Sequence, residues 1–116
     1  MIIRITRDSV AMGDDVYAPH EKIIDIPDSL ILKEMVQKVG KISYLPSIYG
    51  GEATWVLYNR TAHTPLAVLA QQWENARFFD RSRQTLGELF SGKEEGELFF
   101  RYLGQEEPLE VFQELS

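Results

Sequence analysis

A chain without cysteine loses thiol catalysis and thiolate metal ligands, and these 116 residues include no cysteine and only two histidines. His20 stands between Pro19 and Glu21, and His63 lies in the segment NRTAHT. With Asp14, Asp15 or Glu52 they are the candidates for a metal or general-base site, because imidazole and carboxylate are the metal donors left once thiolate is gone. No HExxH, GxSxG or GxxxxGK[ST] pattern occurs, so no motif fixes such groups in a catalytic geometry. The expectation is exposed loop histidines, no catalytic site, no metal and no cofactor.

Three other groupings carry possible chemistry. Arg77, Arg81 and Arg83 cluster in ARFFDRSRQ around Asp80, and guanidinium forks beside aromatic rings suit an oxyanion. The competing use of these arginines is pairing with the acidic C-terminal region. The Gly50-Gly51 pair before Glu52 allows backbone to approach a ligand, and equally allows the chain to turn. Trp55, Tyr58 and Trp73 supply either an aromatic binding face or core filling.

The formal charge of −6 is unevenly placed. Acids and bases balance through residue 87. Beyond it, Glu88, Glu94, Glu95, Glu97, Glu106, Glu107, Glu110 and Glu114 face only Lys93 and Arg101. An acidic excess opposes nonspecific nucleic-acid binding, which depends on Lys and Arg neutralising phosphates, and opposes docking on anionic lipid. The expected partner is a protein or a second copy of the chain, not nucleic acid or membrane. The longest apolar runs fall far short of the roughly 20 residues that span a bilayer, and the start MIIRITRD lacks the form of a secretory signal. A cytoplasmic location is expected.

The elements that position these groups follow from periodicity. The length suits one domain, taken as residues 1–116, and 44% hydrophobic content with six Phe, five Tyr and two Trp can fill its core. IIRITR (2–7) alternates apolar and polar residues and predicts a strand; KIIDI (22–26) predicts its hairpin partner, across a loop spanning 9–20. Pro27, Asp28 and Ser29 signal a helix start. Leu32, Met35, Val36 and Val39 then form one stripe, and Gly40 is the expected stop. ATWVLY (53–58) and PLAVLA (65–70) predict two more strands, while 71–83 is ambiguous between helix and extended chain. Thr85 caps a helical turn, LGELF, ended by Gly92. ELFFRYL (97–103) is apolar on both faces apart from Arg101, as a central strand would be. Pro108, followed by Leu109, Phe112 and Leu115, predicts a short amphipathic C-terminal helix.

The hairpin IIRITR to KIIDI, the helix from Asp28, the strand TWVLY and the close TLGELFSGKEEGELFFRYL together resemble the β-grasp fold of ubiquitin-like proteins over residues 1–104. The resemblance implies an α+β fold, with a β-grasp-like mixed sheet of four to five strands packed on one main helix, to which the short C-terminal helix read from Pro108 onward is added. The chain departs from ubiquitin-like modifiers in ending EVFQELS, with its Gly-Gly pair internal. It therefore implies a non-conjugated relative that binds through its sheet face.

Period two in 97–103 separates Leu98, Phe100 and Tyr102 from Phe99, Arg101 and Leu103, and the charge on Arg101 marks the second set as outward. In the neighbouring strand either Trp55 and Leu57 or Val56 and Tyr58 must face out; Trp55 and Leu57, with Phe99, Arg101 and Leu103, are taken as the expected interaction face. The functional expectation is a noncatalytic interaction module, regulatory, inhibitory or accessory, working through the open sheet face. The alternative is a small enzyme or anion-binding protein using the loop histidines, Glu52 and the three arginines. The C-terminal helix, a second copy or another protein are the three ways to cover the face.

Overall fold

The computed structural model describes residues 1–8, 21–41, 45, 51–60, 63–79, 83–90, 95–104 and 106–115. Six strands form one mixed sheet: β1 (Ile2–Arg7), β2 (Lys22–Asp25), β3 (Thr54–Asn59), β4 (Thr64–Ala70), β5 (Arg77–Phe78) and β6 (Glu95–Tyr102). Their order is β2-β1-β6-β3-β4-β5. Among the described residues there are three helices, α1 (Leu32–Lys41), α2 (Leu86–Leu89) and α3 (Pro108–Leu115). The fold is thus α+β, with no helix in the described residues long and apolar enough to cross a membrane.

The strand expected at the centre of the sheet, β6, takes an interior place. β6 runs parallel to β1, with Ile5 beside Leu98, and antiparallel to β3, with Leu57 beside Phe100. Directly paired residues share a face, so Ile3, Ile5, Leu57, Leu98 and Phe100 turn one way and are fully buried against the Leu32, Met35, Val36 and Val39 stripe of α1. Each such side chain contributes about 1.5–3 kcal/mol by leaving water. The same face is tightly fitted at Gly96, where a Cβ would collide with the Phe90 ring.

Several local expectations are corrected by tertiary pairing. The sheet has six strands, not four or five, because Arg77 and Phe78 pair with Val68 and Ala67 and draw part of the ambiguous segment into an edge strand. The main helix starts at Leu32 rather than Ser29. Residues 28–32 are instead pinned to the start of α2 and to Gln84 before it: Gly87 N–H donates to the Asp28 carbonyl, Leu86 N–H to Leu30, and Leu32 N–H to Gln84, all at 2.9 Å. Gly40 lies inside the last turn of α1 rather than after it. The cap on α2 falls where the sequence places it. The Thr85 hydroxyl accepts from Glu88 N–H at 3.1 Å, the N-cap bond, and donates to the Glu88 carboxylate at 2.9 Å.

Candidate functional site: the second face of the sheet

The face opposite α1 divides into two halves. Over β3 and β4 it is covered by α3: Val56, Val68 and Val111 are buried together, with Tyr58, Trp73, Phe79, Leu103 and Phe112 packed around them. The Phe79 and Phe112 rings stack with centroids 4.6 Å apart and planes 10° from parallel. The chain reaches this position through a turn at Gly104, whose φ of 66° favours glycine. Thr54 holds the turn from both sides. Its N–H donates to the Gly104 carbonyl and its carbonyl accepts from Leu103 N–H, each at 2.9 Å, while its hydroxyl donates to the Glu106 carbonyl at 2.7 Å.

Over β2, β1 and β6 no described element lies on the face. Ladder register places three rows there: Glu21, Thr6 and Phe99; Ile23, Arg4 and Glu97; Asp25, Ile2 and Glu95. Ile23 is 53% exposed and Ile2 36% exposed, large apolar side chains of the kind that mark contact surfaces when grouped. The polar members are organised among themselves. Arg4 Nε lies 3.3 Å from Glu21 Oε2 and its Nη1 3.8 Å from Glu97 Oε1. Arg60, carried in by the end of β3, donates from Nη1 to the Thr6 hydroxyl at 3.3 Å. Its guanidinium also sits 5.1 Å from the centre of the Phe99 ring, within cation–π range. Arg4, Thr6, Arg60 and Glu97 line a depression of about 220 Å³. These half-exposed ion pairs contribute on the order of 0–1 kcal/mol each to stability, so they are better suited to orienting a contact than to holding the fold.

The expected interaction face is redistributed by these positions. Phe99 and Arg101 turn away from α1 as period two predicts, Phe99 half-buried and Arg101 exposed. Leu103 turns the same way but packs in the cluster under α3. Trp55 and Leu57 are a correction: they lie on the α1 face, 2% and 0% exposed, because Trp55 pairs with Tyr102 and Leu57 with Phe100. The side of β3 turned to α3 carries Val56 and Tyr58. Arg4, Thr6, Arg60 and Glu97 were not singled out by sequence. The alternation of IIRITR marks Arg4 and Thr6 as polar-face residues, but nothing local brings Arg60 to them.

The remaining candidates do not converge in the described structure. Arg77 is exposed on β5, its guanidinium 5.5 Å from the Trp73 ring centre; Arg83 is exposed before α2, and Arg81 lies outside the described residues. His63 is exposed in a turn, at φ 54°, and Glu52 is exposed. His20, Asp14, Asp15 and Gly50 lie outside the described residues. Among the described residues no group of three or more His, Asp or Glu side chains is placed to hold a metal ion. No family model, no curated protein and no solved structure matches this chain.

Proposed function

We propose that the protein is a noncatalytic interaction module that binds a protein partner through the bare half of its second sheet face, over β2, β1 and β6. The observation that carries this reading is the incomplete cover: α3 buries the β3–β4 half, while Ile2 and Ile23 stay exposed beside an ordered cluster of Arg4, Thr6, Arg60 and Glu97. Apolar anchors within a frame of paired charges match the composition of transient interfaces, where charges set register and approach more than affinity. The β-grasp likeness belongs to the same proposal. A hairpin, a helix crossing one face and a last strand inserted beside β1 are its elements, and it too favours a module that works by binding through the sheet. For the reading as a small enzyme or anion site, the described groups offer no observation in support: Glu52 and His63 are exposed, and Arg77 lies over Trp73.

A photo-reactive amino acid at position 99 tests the proposal in the native host, with the same residue at Lys33, on the exposed side of α1, as control. A discrete adduct at 99, absent at 33 and lost on adding Arg60→Glu, is the expected result. Equal labelling at both positions would refute it.

A further inference from the structure

We infer that the partner is an extended segment that adds to β2 as a seventh strand and carries basic, apolar and basic residues at alternate positions. The inference rests on the proposed binding role of this half of the sheet and specifies its occupant.

The backbone supplies the first argument. β2 is an end strand, paired with β1 on one side. Ile26 N–H donates to the Met1 carbonyl at 3.0 Å, which orients the even-numbered residues of this strand toward β1. In an antiparallel ladder the alternate residues then point their N–H and C=O outward, so Ile23 and Asp25 offer two donors and two acceptors along an edge that no other described strand pairs. Native edges are commonly blunted by a central charge or proline. Here the central outward residue is Ile23, 53% exposed. The edge is blunted in part by its four-residue length and by Lys22 and Asp25, but its exposed apolar centre suits strand addition, in which main-chain bonds supply affinity and alternate side chains supply specificity.

Charge selects the occupant. Ile23 is flanked on the same face by Glu21, which Arg4 meets at 3.3 Å but leaves 44% exposed, and by Asp25, which lies 3.4 Å from the Met1 amine and stays 76% exposed, so each carboxylate keeps an open side for a further cation. A second copy fits badly. Centring an antiparallel pair on Ile23 sets Glu21 against Asp25 of the other copy, twice, and like charges directly opposite are destabilising. Centring it on Ile24 sets Ile23 against a carboxylate. A strand with Lys or Arg two residues either side of a branched apolar residue places opposite charge on each carboxylate and apolar surface on Ile23.

A displayed library of random nine-residue peptides, selected on the intact protein, tests this, with the winning peptide then studied by amide exchange. The expected winners carry the basic, apolar, basic pattern and slow exchange at Ile23 and Asp25 on the order of tenfold. Asp25→Lys should weaken them about three- to fivefold, as an exposed pair allows, and selection on that variant should enrich an acid at the facing position, a gain that misfolding cannot produce. Three results would overturn the inference: no enrichment, winners without the pattern, or unchanged exchange at Ile23 and Asp25. If winners leave β2 exchange unchanged but lose binding on Arg60→Glu, strand addition fails while the wider reading of the face stands.

Discussion

The two halves of the second sheet face are built from the same β alternation and end differently. On the β3–β4 half the outward residues are Val56, Tyr58 and Val68, a set with no charge, and α3 lies on it. On the β2–β1–β6 half the outward set mixes Ile2, Ile23 and Phe99 with Arg4, Glu97, Glu21 and Asp25. Burying the first set removes apolar surface from water at little cost. Covering the second permanently would desolvate at least four charges, each at a penalty of several kcal/mol unless fully paired. The amphipathic tail therefore settles where its Val111 and Phe112 meet valine, and among the described residues nothing covers the charged half. Cover within the chain follows apolar purity; exposure follows mixed charge.

The most drastic way to break this contrast is to remove the cover. Truncation after Gly104 deletes α3 and the Thr54–Glu106 bond, and exposes Val56 and Val68, both now 0% exposed. The expected loss is about 3 kcal/mol from apolar burial, measured by denaturant unfolding. The truncated chain should also bind an apolar dye and self-associate in sedimentation, while the full chain does neither. A truncated chain as stable and as dye-silent as the full one would mean that α3 covers nothing of consequence.

A second test compares the two faces of one strand at adjacent residues. Gly96 faces Phe90 at a distance that leaves no room for a methyl group, so Gly96→Ala should cost about 1–3 kcal/mol by overpacking. Glu97→Ala, on the bare half, should stay within about 0.5 kcal/mol. Equal losses in thermal unfolding would show that the second face contributes to the stability of the fold as much as the first does.

At the boundary of the halves, Thr54→Val keeps the shape of the side chain but removes the hydroxyl that donates to the Glu106 carbonyl at 2.7 Å. The expected cost is about 1 kcal/mol, with faster amide exchange in α3 than in α1. Uniform acceleration across both helices would mean that Thr54 supports the whole sheet rather than the attachment of the tail.

How far these features were legible in sequence depends on whether the deciding contact was local. β1, β4, β6 and the Thr85 cap are written in short-range pattern: alternation, β-branched content and a Thr three residues before Glu88. The facing of β6 was legible from Arg101 alone, since one charge fixes the parity of a strand. β3 had no such marker. TWVLY is apolar on both faces, so only its register against β6 decides that Trp55 and Leu57 go under α1. The shift of the helix start to Leu32 and the existence of β5 likewise depend on pairing with distant segments. The polar cluster was half legible: the alternation in β1 shows Arg4 and Thr6, and the parity of Arg101 extends to Glu97. Arg60, whose contact with Thr6 spans 54 positions, had no local signal.

The smallest expected effect bears most directly on what the bare half is for. Arg4 touches both Glu21 and Glu97 from a half-exposed position, so a double-mutant cycle on Arg4→Ala and Glu97→Ala should return a coupling energy below about 1 kcal/mol, fading as salt is raised. If the pair serves the fold, loss of stability and loss of the position-99 adduct should scale together. If it serves a partner, the single variants should unfold almost as the parent does while adduct formation drops severalfold, because rim charges govern encounter and register rather than folding. A coupling well above about 1 kcal/mol with an undiminished adduct would place Arg4 and Glu97 among the residues that hold the sheet together, and the distinction between a structural half and a binding half of this face would have to be withdrawn.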